Sequence, residues 1–158
     1  MVLSSIARAS VVTAAQALLL VLLLHTAVGV SWALLPATIL FSLVMAIAFT
    51  AFHYLLTIGL GRGGLVVSLF LLALQITSTG GLYPIQLLAK PFQFISPLLP
   101  LTYGVRGMEA IIANSGAGTA IGAAVALVTF GAGSLLIALL AVRRVRRARA
   151  LGLVPATA

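Results

Sequence analysis

Long apolar stretches alternate with short links that contain glycine or proline along most of this chain. A helix needs about 20 apolar residues to cross the roughly 30 Å hydrocarbon core of a bilayer. Three stretches reach that length, and a fourth reaches it only when the more polar residues at its end are included. The pattern therefore predicts about four membrane-spanning helices, at residues 11–32, 37–59, 64–83 and 117–142.

Short links join the first three predicted helices. Leu35 and Pro36 follow the first apolar stretch, and the run from Gly61 to Gly64 follows the second. Links of this length favour antiparallel neighbouring helices. The glycine run lacks the lysine and the preceding strand that a nucleotide-binding loop requires, so we interpret it as a tight turn between two helices.

The segment from 82 to 114 has a different pattern, because a proline interrupts it every few residues. Proline has no amide donor and disfavours helix in the residue before it, so no straight span fits here. Irregular backbone is not tolerated where it faces lipid. The sequence therefore predicts a re-entrant, broken-helix hairpin on the outer face, with its break at Pro97 and Pro100. The alternative is an amphipathic segment that lies along the surface.

Composition supports a membrane protein. Apolar residues make up 63% of the 158 positions and charged residues 6%, which leaves too few polar side chains to cover a water-soluble globule. The chain has no cysteine, so disulfide bonds and thiolate metal sites are excluded. We expect one all-α integral membrane domain over residues 1–150, solvated by membrane lipids and followed by a disordered tail at 151–158.

The basic residues predict the orientation of the helices, because cytoplasmic links carry an excess of lysine and arginine. With four spans, one side holds Arg8, Arg62, Arg143, Arg144, Arg146, Arg147 and Arg149. The other side holds Lys90 and Arg106, together with Glu109, the one acidic residue. The sequence thus predicts a multi-pass protein of the bacterial plasma membrane with both termini in the cytoplasm. The arginine run is interpreted as a topology and lipid-headgroup signal, and nucleic-acid binding is not expected.

The first apolar stretch allows a second interpretation. Arg8, an apolar core and small residues at 27–33 are also typical of a signal peptide. The apolar run of about 20 residues is longer than the usual core of such a peptide. We therefore interpret this stretch as an uncleaved membrane span.

His25 and His53 are the histidines of the chain, and ionisable groups in the membrane are functional candidates. In the predicted spans their depths differ by about 14 Å, so they cannot share a metal ion. Glu109 is the one further candidate ligand, which is too few for metal catalysis. We interpret both histidines as neutral groups hydrogen-bonded between helices. We expect no catalytic residues, no metal site, no cofactor and no enzyme activity.

Polar residues gather near the end of the third predicted span, at Gln75, Thr77, Ser78 and Thr79. One interpretation is the lining of a substrate path through the membrane. The alternative is a helix end whose polar groups cap and turn the chain. The residues alone do not choose between the two.

Small residues recur every four positions at the start of the last predicted span, at Gly118, Gly122 and Ala126. Small side chains at this spacing let another helix approach closely. We therefore predict that this stripe packs against a helix, either within the chain or across an interface with a partner.

Glycine and proline motifs follow one another in order between Gly59 and Ile112. They are Gly61-Arg62-Gly63-Gly64, then Leu74-Gln75, then a Gly-Gly-x-x-Pro element from 80, and then a Pro-x-x-Pro-x-Thr-Tyr element from 97. Together these motifs resemble the C-terminal membrane domain of the YhgE/Pip family, which is grouped with the membrane subunits of ABC-2 type transporters. The residues that the resemblance marks as structural are Gly80, Gly81, Pro84, Pro97, Pro100, Tyr103, Arg106 and Glu109.

The resemblance implies that the four helices correspond to the final four of the six spans usual in ABC-2 membrane subunits. It implies an exporter-like assembly in which helices rearrange around a path between protomers while a separate ATPase subunit hydrolyses ATP. The chain would then work as a homo-oligomer or with a partner membrane subunit. The alternative is a non-transport membrane anchor, such as a phage-docking or secretion-scaffold component.

The chain departs from that family at its beginning. Family members carry an N-terminal membrane helix and a large extracytoplasmic region, whereas Met1 lies about ten residues before the first predicted span here. The first helices, and the loop that couples a typical ABC-2 subunit to its ATPase, have no counterpart. We therefore expect a split subunit, a truncated product or an excised domain.

Overall fold

The computed structural model describes residues 2–81 and 83–150, with side chains for residues 7–61, 63–81 and 83–144. This part of the chain is helical and contains no strand. Its α-helices are α1 (Val2–Thr26), α2 (Leu35–Leu60), α3 (Arg62–Ser78), α4 (Lys90–Ile95), α5 (Pro100–Ile112) and α6 (Ala117–Ala150). Short 3-10 turns lie at Trp32–Leu34, Ile85–Leu87 and Ser96–Leu98. The expected disordered tail at 151–158 lies outside the described residues.

The all-α class is confirmed, and three of the helical stretches are long and apolar enough to cross a membrane. They are Ala7–Thr26, Trp32–Leu60 and Ala117–Arg144. α3 is apolar but shorter, because its 17 residues extend only about 26 Å. It ends at Ser78, so residues 79–81 and 83, which the sequence places in the third span, are not helical.

The link between α1 and α2 differs from the prediction. α1 ends at Thr26, and Pro36 lies in the first turn of α2 rather than in the link. Proline is tolerated in the first turn of a helix, where its missing amide would have no helical partner. The chain reverses instead at Gly29, whose φ is 80°. Ser31 Oγ then accepts a hydrogen bond of 3.4 Å from the Ala33 amide in the 3-10 turn before α2.

α2 is the central helix of the structure, and it packs against α1, α3, α5 and α6. α1 runs antiparallel to α2, because Thr13 lies 3.0 Å from Thr50 and His25 lies 2.9 Å from Thr38 through their side-chain atoms. α3 returns beside α2 after a single linking residue, Gly61, whose φ is 55°. Both predicted helical hairpins are therefore present.

α6 runs parallel to α2 and forms the core with it. Phe41 and Ala48 of α2 and Ala123 and Leu127 of α6 make one buried apolar cluster. Farther along both helices, a Cβ placed on Gly131 of α6 would lie 3.0 Å from the Cα of Ala48. The backbones of the two helices therefore approach closely at this level.

α5 lies against both α2 and α6. A Cβ on Gly104 would lie 3.5 Å from the Cγ of Met45, and a Cβ on Gly107 would meet the ring of Phe41 and lie 2.9 Å from the Cβ of Ala123. As the chain moves along α5, its contact on α2 moves from Met45 back to Phe41. α5 therefore runs antiparallel to α2.

The bundle has two ends, which we name by their residues. The arginine end holds Arg8, the Gly61 link and Arg143, and the loop end holds the links at 27–34 and 113–116. α6 has 34 residues and extends about 51 Å, whereas α2 has 26 residues and extends about 39 Å. Since both helices start at the loop end, α6 projects beyond α2 at the arginine end.

Both histidines are hydrogen-bonded between elements, as the sequence predicts. His53 of α2 contacts Ser68 of α3 through Nδ1 and Oγ. His25 is 2% exposed, with Nδ1 3.0 Å from the Val30 carbonyl oxygen and Nε2 2.9 Å from Thr38 Oγ1. A carbonyl oxygen only accepts, so Nδ1 donates to Val30. The Thr38 hydroxyl, which contacts Nε2, also lies 3.2 and 3.0 Å from the carbonyl oxygens of Leu34 and Leu35, to which it can donate. His25 thereby ties together α1, the link and α2.

Gly107→Ala is predicted to destabilise the protein. The added methyl group would lie too close to Ala123 and Phe41, and overpacking of this kind costs about 1–3 kcal/mol. Gly133→Ala is the matched control, because a Cβ there meets nothing within 4 Å and alanine improves helix propensity by up to about 1 kcal/mol at both sites. Thermal unfolding in detergent measures both variants. An equal effect of the two would contradict the close packing at Gly107.

Thr38→Val is predicted to lower the free energy of unfolding by about 1–2 kcal/mol, because it leaves a buried ring nitrogen of His25 without its partner. Valine keeps the shape of the threonine side chain. Thr129→Val is the control, since Thr129 is exposed and its hydroxyl donates to the Val125 carbonyl of its own helix. Thermal unfolding in detergent measures both variants. If Thr38→Val lowers the free energy of unfolding no more than Thr129→Val does, the interhelical role of His25 is contradicted.

Candidate functional site

Gln75 joins the end of α3 to the beginning of α5. Its Oε1 accepts a hydrogen bond of 3.2 Å from the amide of Leu101. The first amides of a helix have no partner within the helix, and the residue before α5, Leu99, provides no side-chain cap. The side chain of Gln75 is completely buried, so it caps α5 from a different helix.

Hydroxyl groups close the turn between α4 and α5. Thr102 Oγ1 donates to the Ser96 carbonyl oxygen at 2.6 Å, and Ser96 Oγ lies 3.0 Å from Thr102 Oγ1. The hydroxyl of Tyr103 donates to the Pro97 carbonyl oxygen at 2.9 Å. Ser96 and Thr102 are both fully buried. These bonds satisfy backbone groups that the prolines leave outside a regular helix.

Two buried polar groups beside this turn have no partner among the described residues. They are Nε2 of Gln75 and Oγ of Ser78, and both side chains are 0% exposed. A buried donor or acceptor without a hydrogen bond costs about 1–3 kcal/mol. Most buried polar atoms in native proteins have a partner in the protein or in ordered water, so these two atoms mark a candidate position for a ligand or water.

The structure brings together three of the four predicted path residues. Gln75 and Ser78 of α3 and Thr79, the residue that follows the helix, are three and four residues apart and are all buried. Thr77 lies on another face, is exposed, and donates to carbonyl oxygens of its own helix at Ala73 and Leu74. Thr77 therefore does not belong to the same group.

A polar cleft of about 390 Å³ lies on the outer side of this region, between the loop after α3 and the middle of α5. Its lining consists of Thr79, Gly80, Gly81, Tyr83, Pro84, Ile85, Arg106 and Glu109. Five of these are among the eight residues that the family resemblance marks: Gly80, Gly81, Pro84, Arg106 and Glu109. Three other marked residues lie away from it. Pro97 and Tyr103 are in the hydrogen-bonded turn described above, and Pro100 begins α5.

A larger apolar groove of about 800 Å³ lies between α1 and α3, with α2 and α5 beneath it. Its lining includes Gln16, Leu20, Phe49, His53 and Leu72. α1 and α3 both pack on α2 but make little contact with each other. The sequence does not reveal this groove, because it arises from the spacing of three helices rather than from any motif.

The predicted stripe of small residues lies on an outer face of α6. Gly118 and Gly122 are exposed, and a Cβ on either would meet nothing within 4 Å. Within the chain, the close approaches use Gly104, Gly107 and Gly131 instead. The prediction that the stripe packs across an interface with a partner remains a prediction. In the described residues, no group of three or more His, Asp or Glu side chains is placed to hold a metal ion.

Comparison with known proteins gives one informative similarity. The chain is 34% identical over 74 residues to the uncharacterized protein YhgE of Bacillus subtilis (strain 168). The match covers 47% of this chain, and the chain spans about a tenth of the length of that relative, since the match covers 10% of YhgE. Comparison with protein-family profiles finds no match, and no solved structure matches the chain. The similarity to YhgE agrees with the family that the sequence motifs resemble.

Proposed function

We propose that this chain is a membrane subunit, or the C-terminal portion of one, in an ABC-2 type exporter assembly related to YhgE. It forms part of a translocation path, carries no catalytic residues, and works with a second membrane subunit, identical or different, and a separate ATPase subunit. The observation that carries the proposal is the pair of buried, unpartnered polar groups on Gln75 and Ser78 beside a broken helix. Polar groups inside a membrane bundle are costly and mark substrate pathways.

We infer that residues 82–114 form a re-entrant hairpin that enters from the loop end. The start of α5 supports this, because Leu101 bonds to Gln75 and Tyr103 packs on Phe130 with ring centroids 5.9 Å apart. Phe130 lies about 20 Å along α6 from its start at the loop end. The turn at Ser96–Leu98 therefore lies deep in the bundle, and α5 leads back to the loop end.

α3 acts in this proposal as the fourth span. Its length of about 26 Å is close to the roughly 30 Å of hydrocarbon. Its exposed side chains are large and apolar, among them Leu65, Val66, Leu69, Phe70 and Ile76. An apolar surface of this extent requires lipid or another protein around it. If α3 crosses the membrane, the hairpin lies at the loop end and the Gly61 link lies at the arginine end.

The arginine end faces the cytoplasm in this proposal. Arg8, the link that holds Arg62, and the arginines from 143 onward all belong to this end. Lys90, Arg106 and Glu109 belong to elements at the other end. Positive charge is retained on the cytoplasmic side of membrane proteins, so both termini lie in the cytoplasm of a bacterial plasma-membrane protein.

Single cysteines test this topology, because the chain has no cysteine of its own. We expect an impermeant maleimide added to intact cells to label cysteine at Gln86 and Asn114, which are exposed at the loop end. Cysteine at Gly63 should be labelled only after lysis, because it lies at the arginine end. Cysteine at Leu98 should resist the reagent although its side chain is exposed, because the hairpin tip lies within the membrane.

Two labelling patterns would contradict the proposed topology. Labelling of Gly63→Cys but not Asn114→Cys in intact cells would reverse the orientation. Labelling of Leu98→Cys as fast as Gln86→Cys would place the segment on the surface, as the amphipathic alternative requires.

Copurification from native membranes tests the transport function. We expect a nucleotide-binding subunit to copurify with this chain, and we expect the chain to stimulate the ATPase activity of that subunit. Ser78→Ala should reduce that stimulation while raising the free energy of unfolding by about 1 kcal/mol, because it removes an unpaired buried hydroxyl. Thr77→Val is the control and should leave both unchanged. A stable complex without any ATPase would favour the alternative, a membrane anchor for phage docking or a secretion scaffold.

A further inference from the structure

Glu109 is the one acidic residue in the 158-residue chain, and the fold does not explain its place. It lies in the last turn of α5, where the negative end of the helix dipole disfavours a carboxylate. Arg106 lies one turn earlier and lines the same cleft. Neither side chain has a hydrogen-bond or ion-pair partner within the described part of the chain. Two opposite charges are therefore free in one cleft.

The walls of this cleft are held by local structure. Gly80 has a φ of 80°, which turns the chain after α3 so that Ile85 packs beside it. A Cβ on Gly81 would lie 3.4 Å from the Val105 side chain, so the loop rests against α5. Thr79 is buried in the lining and adds a hydroxyl group. The cleft thus offers a cation, an anion and a hydroxyl group.

The two charges differ in depth along the bundle. α5 leads from the buried Gln75 region to the loop end, so Glu109 lies about 4.5 Å nearer the loop end than Arg106. Tyr83 at the cleft is 66% exposed, and Trp32 in the link at the same end is 55% exposed. Exposed tyrosine and tryptophan are typical of the level of the lipid headgroups. The cleft therefore lies where headgroups meet the protein.

We propose that this cleft binds the headgroup of an aminophospholipid, with the phosphate on Arg106 and the ammonium group on Glu109. Guanidinium groups bind phosphate through paired charge-assisted hydrogen bonds, and a carboxylate accepts hydrogen bonds from a primary ammonium. In such a lipid the phosphate is nearer the acyl chains than the ammonium, which matches the order of the two residues in depth. Leu87 and Phe94 of the neighbouring segment expose apolar side chains for the acyl chains.

This assignment is independent of the proposed transport function and of which membrane face the loop end occupies. It requires only that the cleft meets a leaflet surface. An ethanolamine lipid satisfies both charges, an anionic glycerol lipid satisfies Arg106 alone, and a choline lipid cannot donate hydrogen bonds to Glu109 because its nitrogen carries no hydrogen.

Native mass spectrometry of the full chain in detergent, with added dioleoyl lipids, tests the proposal. We expect phosphatidylethanolamine to be retained about tenfold better than phosphatidylglycerol or phosphatidylcholine. One additional hydrogen bond to a charged group changes an affinity by about this factor. Glu109→Gln should abolish this preference, and Arg106→Gln should weaken retention of all three lipids. Lys90→Gln is the control, because Lys90 is an exposed cation of the same segment outside the cleft, and it should change nothing.

Three outcomes would overturn the proposal. The first is an ethanolamine preference that survives Glu109→Gln. The second is an equal loss with Lys90→Gln, which would indicate unspecific attraction of lipid phosphate. The third is displacement of the lipid by soluble phosphoethanolamine at equal concentration, which would assign the cleft to a free zwitterion. Unfolding temperatures without added lipid separate these outcomes from misfolding, since each variant removes a single charge without a partner in the described part of the chain and should not lower them.

Discussion

Where α5 crosses α2 and α6, Gly104 and Gly107 bring its backbone against Met45, Phe41 and Ala123. No side chain larger than hydrogen fits at Gly107 without displacing a neighbour. This contact positions α5 against α2 and α6, and in that position the amide of Leu101 lies within reach of the carboxamide of Gln75. The same position of α5 places Arg106 and Glu109 opposite the loop after α3. Both candidate sites depend on this one crossing of three helices.

Much of the architecture follows from the sequence, because the length of an apolar stretch is a direct consequence of bilayer thickness. The long helices and the tight turn at Gly61 are therefore predictable. Their ends are less so, as Pro36 illustrates: a proline between two apolar stretches suggests a link, yet it fits equally well in the first turn of a helix. The end of α3 at Ser78 is set by the turn at Gly80, which hydropathy does not reveal.

The candidate sites are predictable in part. Gln75 and Ser78 stand out as polar residues in an apolar helix, but their shared face and the separation of Thr77 require the helical geometry. The prolines between 84 and 100 indicate a broken segment, and the structure shows that Pro91, Pro97 and Pro100 each lie at the first or second position of a helix or 3-10 turn. The cleft around Arg106 and Glu109 depends on contact between residues about 25 positions apart in sequence. No local pattern contains that information, although a lone acidic residue is a signal that composition alone provides.

The unequal lengths of α6 and α2 have a mechanical consequence. α6 is one continuous helix from its contact with α5 near Ala123 to its projecting end at Ala150, so that end lies about 40 Å from the contact. If another protein bound the part of α6 that projects past the end of α2 at Leu60 and tilted it, α6 would turn about its packing on α2. Since Phe130 touches Tyr103, the same tilt would move the start of α5 and the turn beside Gln75. Force applied outside the bundle would thereby reach its buried polar groups without any hinge in between.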